Sequence, residues 1–283
     1  MSRNPHTPNG FEGTIMTDTA TTAADRFERG LSVLDEVGGP SGRAVVGGLA
    51  DIAPDLGRYV VEFGYGDVYS GPGLTLAQRQ LATIAALTGM GTAAPQLRWH
   101  IGGALNVGVT PAEVVETIVH IGVYAGFPAV LNALAEARAV FAERPEAGNP
   151  VTASEIRPDE TTQQRYERGL AKLAEVDGDA ADHIFETLGA TSPDLARYLV
   201  EFAFADVYSR PGLDLKTREL ATVAACTAMG TAAPQLRVHL HGLLNVGGTV
   251  EEAVAVITQM ASYAGFPAAI NGIAALREVL AQR

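Results

Sequence analysis

Two histidines stand four residues after a glutamine in otherwise apolar surroundings. One pair is Gln96 and His100, in Ala93-Ala94-Pro95-Gln96-Leu97-Arg98-Trp99-His100; the other is Gln235 and His239, in Ala232-Ala233-Pro234-Gln235-Leu236-Arg237-Val238-His239. Positions four apart share a helix face, and polar groups on an apolar helix are costly to bury unless paired or used. The spacing admits both a hydrogen-bonded core histidine and a functional acid or base. A second set is Asp67, Tyr69, Pro72, Arg79 and Thr83, matched by Asp206, Tyr208, Pro211, Arg218 and Thr222. Its arginines fit either an ion pair with Asp67 or Asp206, or contact with a substrate. Tyr124 and Tyr263, each just before Gly-Phe-Pro, fit the wall of a core or an acid. No HxxxH or HExxH spacing is present and carboxylates near the histidines are sparse, so no metal site is expected.

These residues come in pairs because the chain repeats itself. A shift of 139 residues aligns Arg29-Gly30-Leu31 with Arg168-Gly169-Leu170 and holds without a gap through Gly126-Phe127-Pro128 and Gly265-Phe266-Pro267. Between 79–109 and 218–248, 22 of 31 positions are identical, which marks a duplication rather than shared composition. The pattern divides the chain into a flexible N-terminal tail (1–24), repeat 1 (25–143), a Pro- and Gly-rich linker (144–160) and repeat 2 (161–283).

Within each repeat the apolar period is helical, with no convincing alternating strand. Ser192-Pro193-Asp194 and Thr110-Pro111-Ala112-Glu113 read as helix starts, as do Thr75 and Asp214. Gly108 and Gly247 read as stops, and Pro128 and Pro267 open the last helix. This predicts about six helices per repeat, including a short second one. Helices as apolar as 81–87 and 114–123 are expected to be buried on more than one side.

Composition narrows the function. A net charge of −12 leaves no basic stripe for nucleic acid or an anionic membrane surface. The single cysteine, Cys226, excludes a disulfide framework, a two-cysteine redox motif and a cysteine-rich zinc site. The tail lacks the charged and apolar regions of a signal peptide, and no apolar run reads as a membrane span. The expectation is a cytoplasmic protein, with Met16 a possible alternative start.

The run Phe202-Ala203-Phe204-Ala205-Asp206-Val207-Tyr208-Ser209-Arg210-Pro211-Gly212-Leu213, then Arg218, His239, Asn245, Gly247 and Tyr263-Ala264-Gly265-Phe266-Pro267-Ala268, resembles the 4-carboxymuconolactone decarboxylase family. Repeat 1 matches over 64–74, Arg79, His100, Asn106, Gly108 and 124–129, so the resemblance spans nearly the whole chain. It implies an all-α fold of two tandem six-helix units forming a pseudo-dimer, related to the alkylhydroperoxidase-D-like proteins. Those place a CxxC pair before the histidine; here the positions read Ala93 and Gln96, or Ala232 and Gln235, which excludes thiol peroxidase chemistry.

The activity the resemblance implies is a cofactor-independent decarboxylation through an enolate. It demands an acid, donors to a developing oxyanion and a cation for a carboxylate. His100 and His239 take the acid role, Arg79 and Arg218 recognise the carboxylate, Gln96 and Gln235 position it, and Tyr69, Tyr208, Tyr124 and Tyr263 complete the binding wall. Arg98 and Arg237 are competing cations. The partner is then a small carboxylate or lactone, and a homotrimer of pseudo-dimers is the expected assembly. An isomerase, cyclase or ring-opening enzyme would use the same groups, and a catalytically silent binding or assembly protein would keep only the fold.

The repeats differ near the histidine: Gln80, Trp99, Gly102 and His120 in the first, Glu219, Val238, His241 and Gln259 in the second. Only repeat 2 can pair its histidine with a carboxylate, Glu219 with His239, which would raise the imidazole pKa and favour repeat 2 as the active copy. Trp99 and His120 could equally mark repeat 1 as the specialised one.

Overall fold

The computed structural model describes residues 21–151, 154–178 and 188–283; Met16 and most of the N-terminal tail lie outside them. Among the described residues there are helices and no strand. The first repeat runs α1 (Ala23–Gly38), α2 (Gly42–Gly47), α3 (Pro54–Tyr59) widening into a π-helix (Val60–Tyr69), α4 (Leu76–Met90), α5 (Ala94–Asn106) and α6 (Pro111–Glu143). The second follows as α7 (Thr162–Asp177), α8 (Pro193–Tyr198) with its own π-helix (Leu199–Tyr208), α9 (Leu215–Met229) and α10 (Ala233–Asn245). It ends in α11 (Val250–Gln259), α12 (Ala261–Ala264) and α13 (Phe266–Ala281). The counterpart of α2 falls outside the described residues.

Local chemistry explains most boundaries. Thr75 and Thr110 close capping boxes with Gln78 and Glu113, and Asp214 accepts the Thr217 amide. Ser192 departs from expectation: it precedes α8 but makes no capping bond. Its ψ of 76° is far from the 154–164° of the three working caps, so Pro193, with Asp194 in the first turn, sets that start. Gly126, at φ 80° and ψ 167°, breaks α6 ahead of Pro128, as Gly265 separates α12 from α13. Ignoring that break, α6 is long and apolar enough to cross a membrane, contrary to the reading of the sequence as having no such run. Val114, Ile118, Ile121, Val130 and Ala133 on it are nevertheless buried in the core.

The repeats meet along α4 and α9, which pack side by side through small residues. Ala85 and Ile121 cluster with Ala221 and Ala225, and Ala82 and Ala86 join the core of the second repeat. A Cβ on Gly89 would already touch Ala225 and Met229 at 3.4 Å. The last helices cross over: His120 on α6 bonds Thr222 on α9, and Gln259 on α11 bonds Thr83 on α4. The two units therefore form a pseudo-dimer in which each completes the other. The repeated Arg-Gly-Leu has a steric cause, because a Cβ on Gly30 or Gly169 would stand 2.1 or 2.2 Å from the carbonyl of Val61 or Val200. That contact seats α1 and α7 on the π-helices, whose last residues, Tyr69 and Tyr208, point into the functional region.

Candidate functional site

Two sites result, each built from both repeats. In the first, His100 on α5 is buried, and its Nδ1 lies 2.9 Å from Gln80 Oε1 on α4. Its Nε2 is 3.3 Å from the Tyr263 hydroxyl, which bonds Tyr69 at 2.6 Å, and Tyr69 bonds Thr83 at 2.7 Å. Gln259 donates to Thr83 Oγ1 and to the Arg79 carbonyl, and its own oxygen accepts from Arg79 Nη1 at 3.1 Å. Burial drives the His100 pKa down to about 3, so the imidazole is neutral near neutral pH. Burial likewise lifts Tyr69 to about 12.

A cavity of about 600 Å³ opens beside this histidine. Leu34, Val46, Val60, Phe63, Tyr65 and Trp99 supply apolar surface, and Gln96, His100, Tyr69 and Tyr263 supply polar atoms. Trp99 packs edge-on to His100 at 4.8 Å between ring centres.

In the second site His239 on α10 places Nδ1 2.9 Å from Glu219 Oε2, the pair anticipated from sequence. Tyr208 donates to Glu219 Oε1 at 2.6 Å, and the Tyr124 hydroxyl lies 2.7 Å from that of Tyr208. His120 Nε2 reaches Thr222 Oγ1 at 2.8 Å. Burial opposes charge on His239, but Glu219 and then Asp177 outweigh it and raise its pKa above the ordinary value. His120 goes the other way, held well below the usual range by burial and by Arg218 and His239. Asp177 ends α7 buried beside them, its pKa lifted by burial to about 6. A Cβ on Gly242 would stand 3.1 Å from both Asp177 Oδ1 and Glu219 Oε2, which shows how close the two carboxyl groups come.

Several sequence assignments change. Arg79 and Arg218 neither line the cavity nor pair with Asp67 or Asp206: they are fully buried behind the tyrosines. Arg79 Nη2 donates to the carbonyls of Gly71 and Pro72, and Arg218 Nη2 donates to the carbonyl of Arg210 and lies 3.5 Å from Glu116. Asp67 instead takes Arg26 and Arg29, and Asp206 takes Arg165 and Arg168, since α1 and α7 bring those arginines over the π-helices. Arg98 and Arg237 form outward pairs with Glu143 and Glu278. Gln96 is exposed at the rim of the first cavity, and Gln235 is exposed on α10. Cys226 is buried and its thiol pushed up to about 12.

The crossing of the last helices also reassigns the differences between repeats. His120 and Tyr124 belong with His239, while Gln259 and Tyr263 belong with His100. Glu116, which takes a fork of hydrogen bonds from Arg210, and Asp177 complete the second site and escaped the reading of the sequence. The repeat did hold their signal, because the matching positions are Ala255, Gly71 and Gly38.

The model of the carboxymuconolactone decarboxylase family matches residues 54–139 and again 193–278. The 4-carboxymuconolactone decarboxylase of Acinetobacter baylyi is 37% identical over 107 residues, covering 38% of this chain and 79% of the relative. The nitrosuccinic acid decarboxylase of Metarhizium robertsii is 37% identical over 75 residues, covering 26% of this chain and 52% of the relative. A crystal structure described as a gamma-carboxymuconolactone decarboxylase subunit of Burkholderia xenovorans shares the fold, with a TM-score of 0.55 at 20% identity over 90% of this chain and 98% of that one.

Proposed function

The chain belongs to the carboxymuconolactone decarboxylase family, and from that premise we propose that its second site, around His239 and Glu219, decarboxylates a small carboxylic acid without a cofactor. The names of two relatives, 4-carboxymuconolactone decarboxylase and nitrosuccinic acid decarboxylase, suit one substrate class. In each substrate the carbanion left by loss of CO2 delocalises onto an acceptor already present, a lactone carbonyl or a nitro group. The electron pair of the breaking C–C bond enters that acceptor, and the carbanion then takes one proton.

The observation that supports this reading is the direction of the hydrogen bonds. Tyr208 gives its proton to Glu219, so Tyr124 gives its proton to Tyr208, and Glu219 receives His239 Nδ1–H. His239 Nε2–H is left as a charged donor for the developing oxyanion and as the acid that delivers the proton. Water restores it. With Arg218 engaged by Glu116 and a carbonyl, the protonated imidazole is the charge that meets the substrate in this scheme. The test is incubation of the pure chain with 4-carboxymuconolactone and with nitrosuccinate, following loss of substrate and release of CO2. Turnover lost in His239→Ala supports the assignment; turnover of either substrate that survives this change overturns it, as does no turnover of either.

A further inference from the structure

We infer that the cavity beside His100 is a separate, non-catalytic binding site for an uncharged, largely apolar molecule bearing one hydrogen-bond donor, such as a phenol. Among the described residues, no Asp, Glu, Lys or Arg lines it. A ligand carboxylate placed there would leave water without gaining an opposite charge, which is costly. The cavity is large enough for a substituted single ring, and Tyr65, Trp99 and Phe63 offer aromatic faces and edges to one.

The proton order at its polar end specifies the donor. Thr83 gives its proton to the Arg79 carbonyl and accepts from Gln259, so Tyr69 donates to Thr83 and Tyr263 donates to Tyr69. The lengths agree: 2.7 and 2.6 Å along this chain, against 3.3 Å from Tyr263 to His100 Nε2. His100 Nδ1–H is spent on Gln80 Oε1. What remains is a neutral Nε2 lone pair beside a Tyr263 oxygen, two acceptors with no proton between them. A hydroxyl group completes that gap, whereas a carboxylate, which is acceptor only at neutral pH, is repelled.

Trp99 is the single tryptophan and lines the cavity, so its emission reports occupancy. The full chain is titrated at pH 7 with 4-ethylphenol, 4-ethylanisole, which lacks the donor, and 4-ethylbenzoate, which adds the charge. Calorimetry repeats each titration. The expected result is binding of the phenol at least 10-fold tighter than either analogue. That preference should vanish in His100→Phe and persist in His239→Ala, with folding of each variant checked by circular dichroism. Equal or tighter binding of the benzoate, a preference that survives His100→Phe, or no binding of the phenol overturns the inference. The outcome is independent of turnover at His239, so failure here and failure of the decarboxylase reading are separable.

Discussion

The two sites share one frame and differ in what the histidine's inner nitrogen faces. In both, a tyrosine from the π-helix meets a tyrosine brought across by the other repeat, beside an α5 or α10 histidine. In the second site Glu219 turns the ring into a donor; in the first, Gln80 turns it into an acceptor. The change extends outward in register. Asp177, Arg210, Glu116 and His120 around His239 become Gly38, Gly71, Ala255 and Gln259 around His100. Trp99 takes up the space where an acid stands in the other site, since a Cβ on Gly38 would lie 2.8 Å from its ring. The charged groups thus differ between the sites as a set, and a single uncompensated charge in a buried site would be costly. Arg79 is the exception: without a counterpart of Glu116, its buried charge is met by the neutral Gln259 and two carbonyls.

The comparison breaks most directly at the histidines themselves. His239→Ala is expected to lower turnover roughly 10²- to 10⁴-fold, the usual cost of removing an essential acid. His100→Ala should leave most of it. Equal partial losses, measured as initial rates with folding checked by circular dichroism, would mean two equivalent sites.

Glu219→Gln gives the second site the inner partner of the first, and a loss of about 10- to 10²-fold is expected, smaller than removal of the acid itself. Its signature is in pH. The active form is protonated His239, so rate falls as pH rises through its raised pKa. Without the Glu219 charge only Asp177 still opposes burial, and the descending limb of kcat against pH must move to lower pH. A limb that stays in place would show that Glu219 does not set the charge of His239. A smaller effect separates the crossed tyrosines: Tyr124→Phe should slow turnover several-fold through the Tyr208–Glu219 chain, while Tyr263→Phe should leave it unchanged. The reverse pattern would assign each tyrosine to its own repeat's histidine.

The duplication, the helical class, the caps at Thr75, Thr110 and Asp214 and the Glu219–His239 pair were legible because each is a local pattern or a repeat of one. The roles of Arg79 and Arg218 were not, since linear spacing shows that an arginine begins a helix but not that carbonyls close over it. The crossing of α6 and α11 was equally hidden, and it moved His120 from one site to the other. Matching apolar residues, Phe127 with Phe266 and Leu131 with Ile270, stay exposed in both repeats and suit cover by a second copy of the chain. The expected homotrimer of pseudo-dimers is tested by light scattering, where a stable mass near 29.5 kDa would count against it.

The smallest expected effect is on stability and comes from the neutral histidine. With a folded pKa near 3 against the ordinary 6.5, His100 makes the unfolded chain bind one more proton than the folded chain between those values. Stability must therefore fall as pH drops from 6.5 towards 3, by about 1.4 kcal/mol per unit at most. His239 has the opposite sign: its raised pKa gives a contribution present in full below 6.5 and lost as pH rises through the folded value. Asp177, lifted from 3.8 to about 6, likewise stabilises on the acid side and loses that contribution across this window as pH rises, partly masking His100. The clean readout is a difference. On top of a pH-independent offset from repacking, wild type should lose roughly 2–6 °C in Tm relative to His100→Phe from pH 7 to pH 4.5. Parallel profiles would mean that His100 is charged in the folded chain, and the division between an acceptor site and a donor site would not hold.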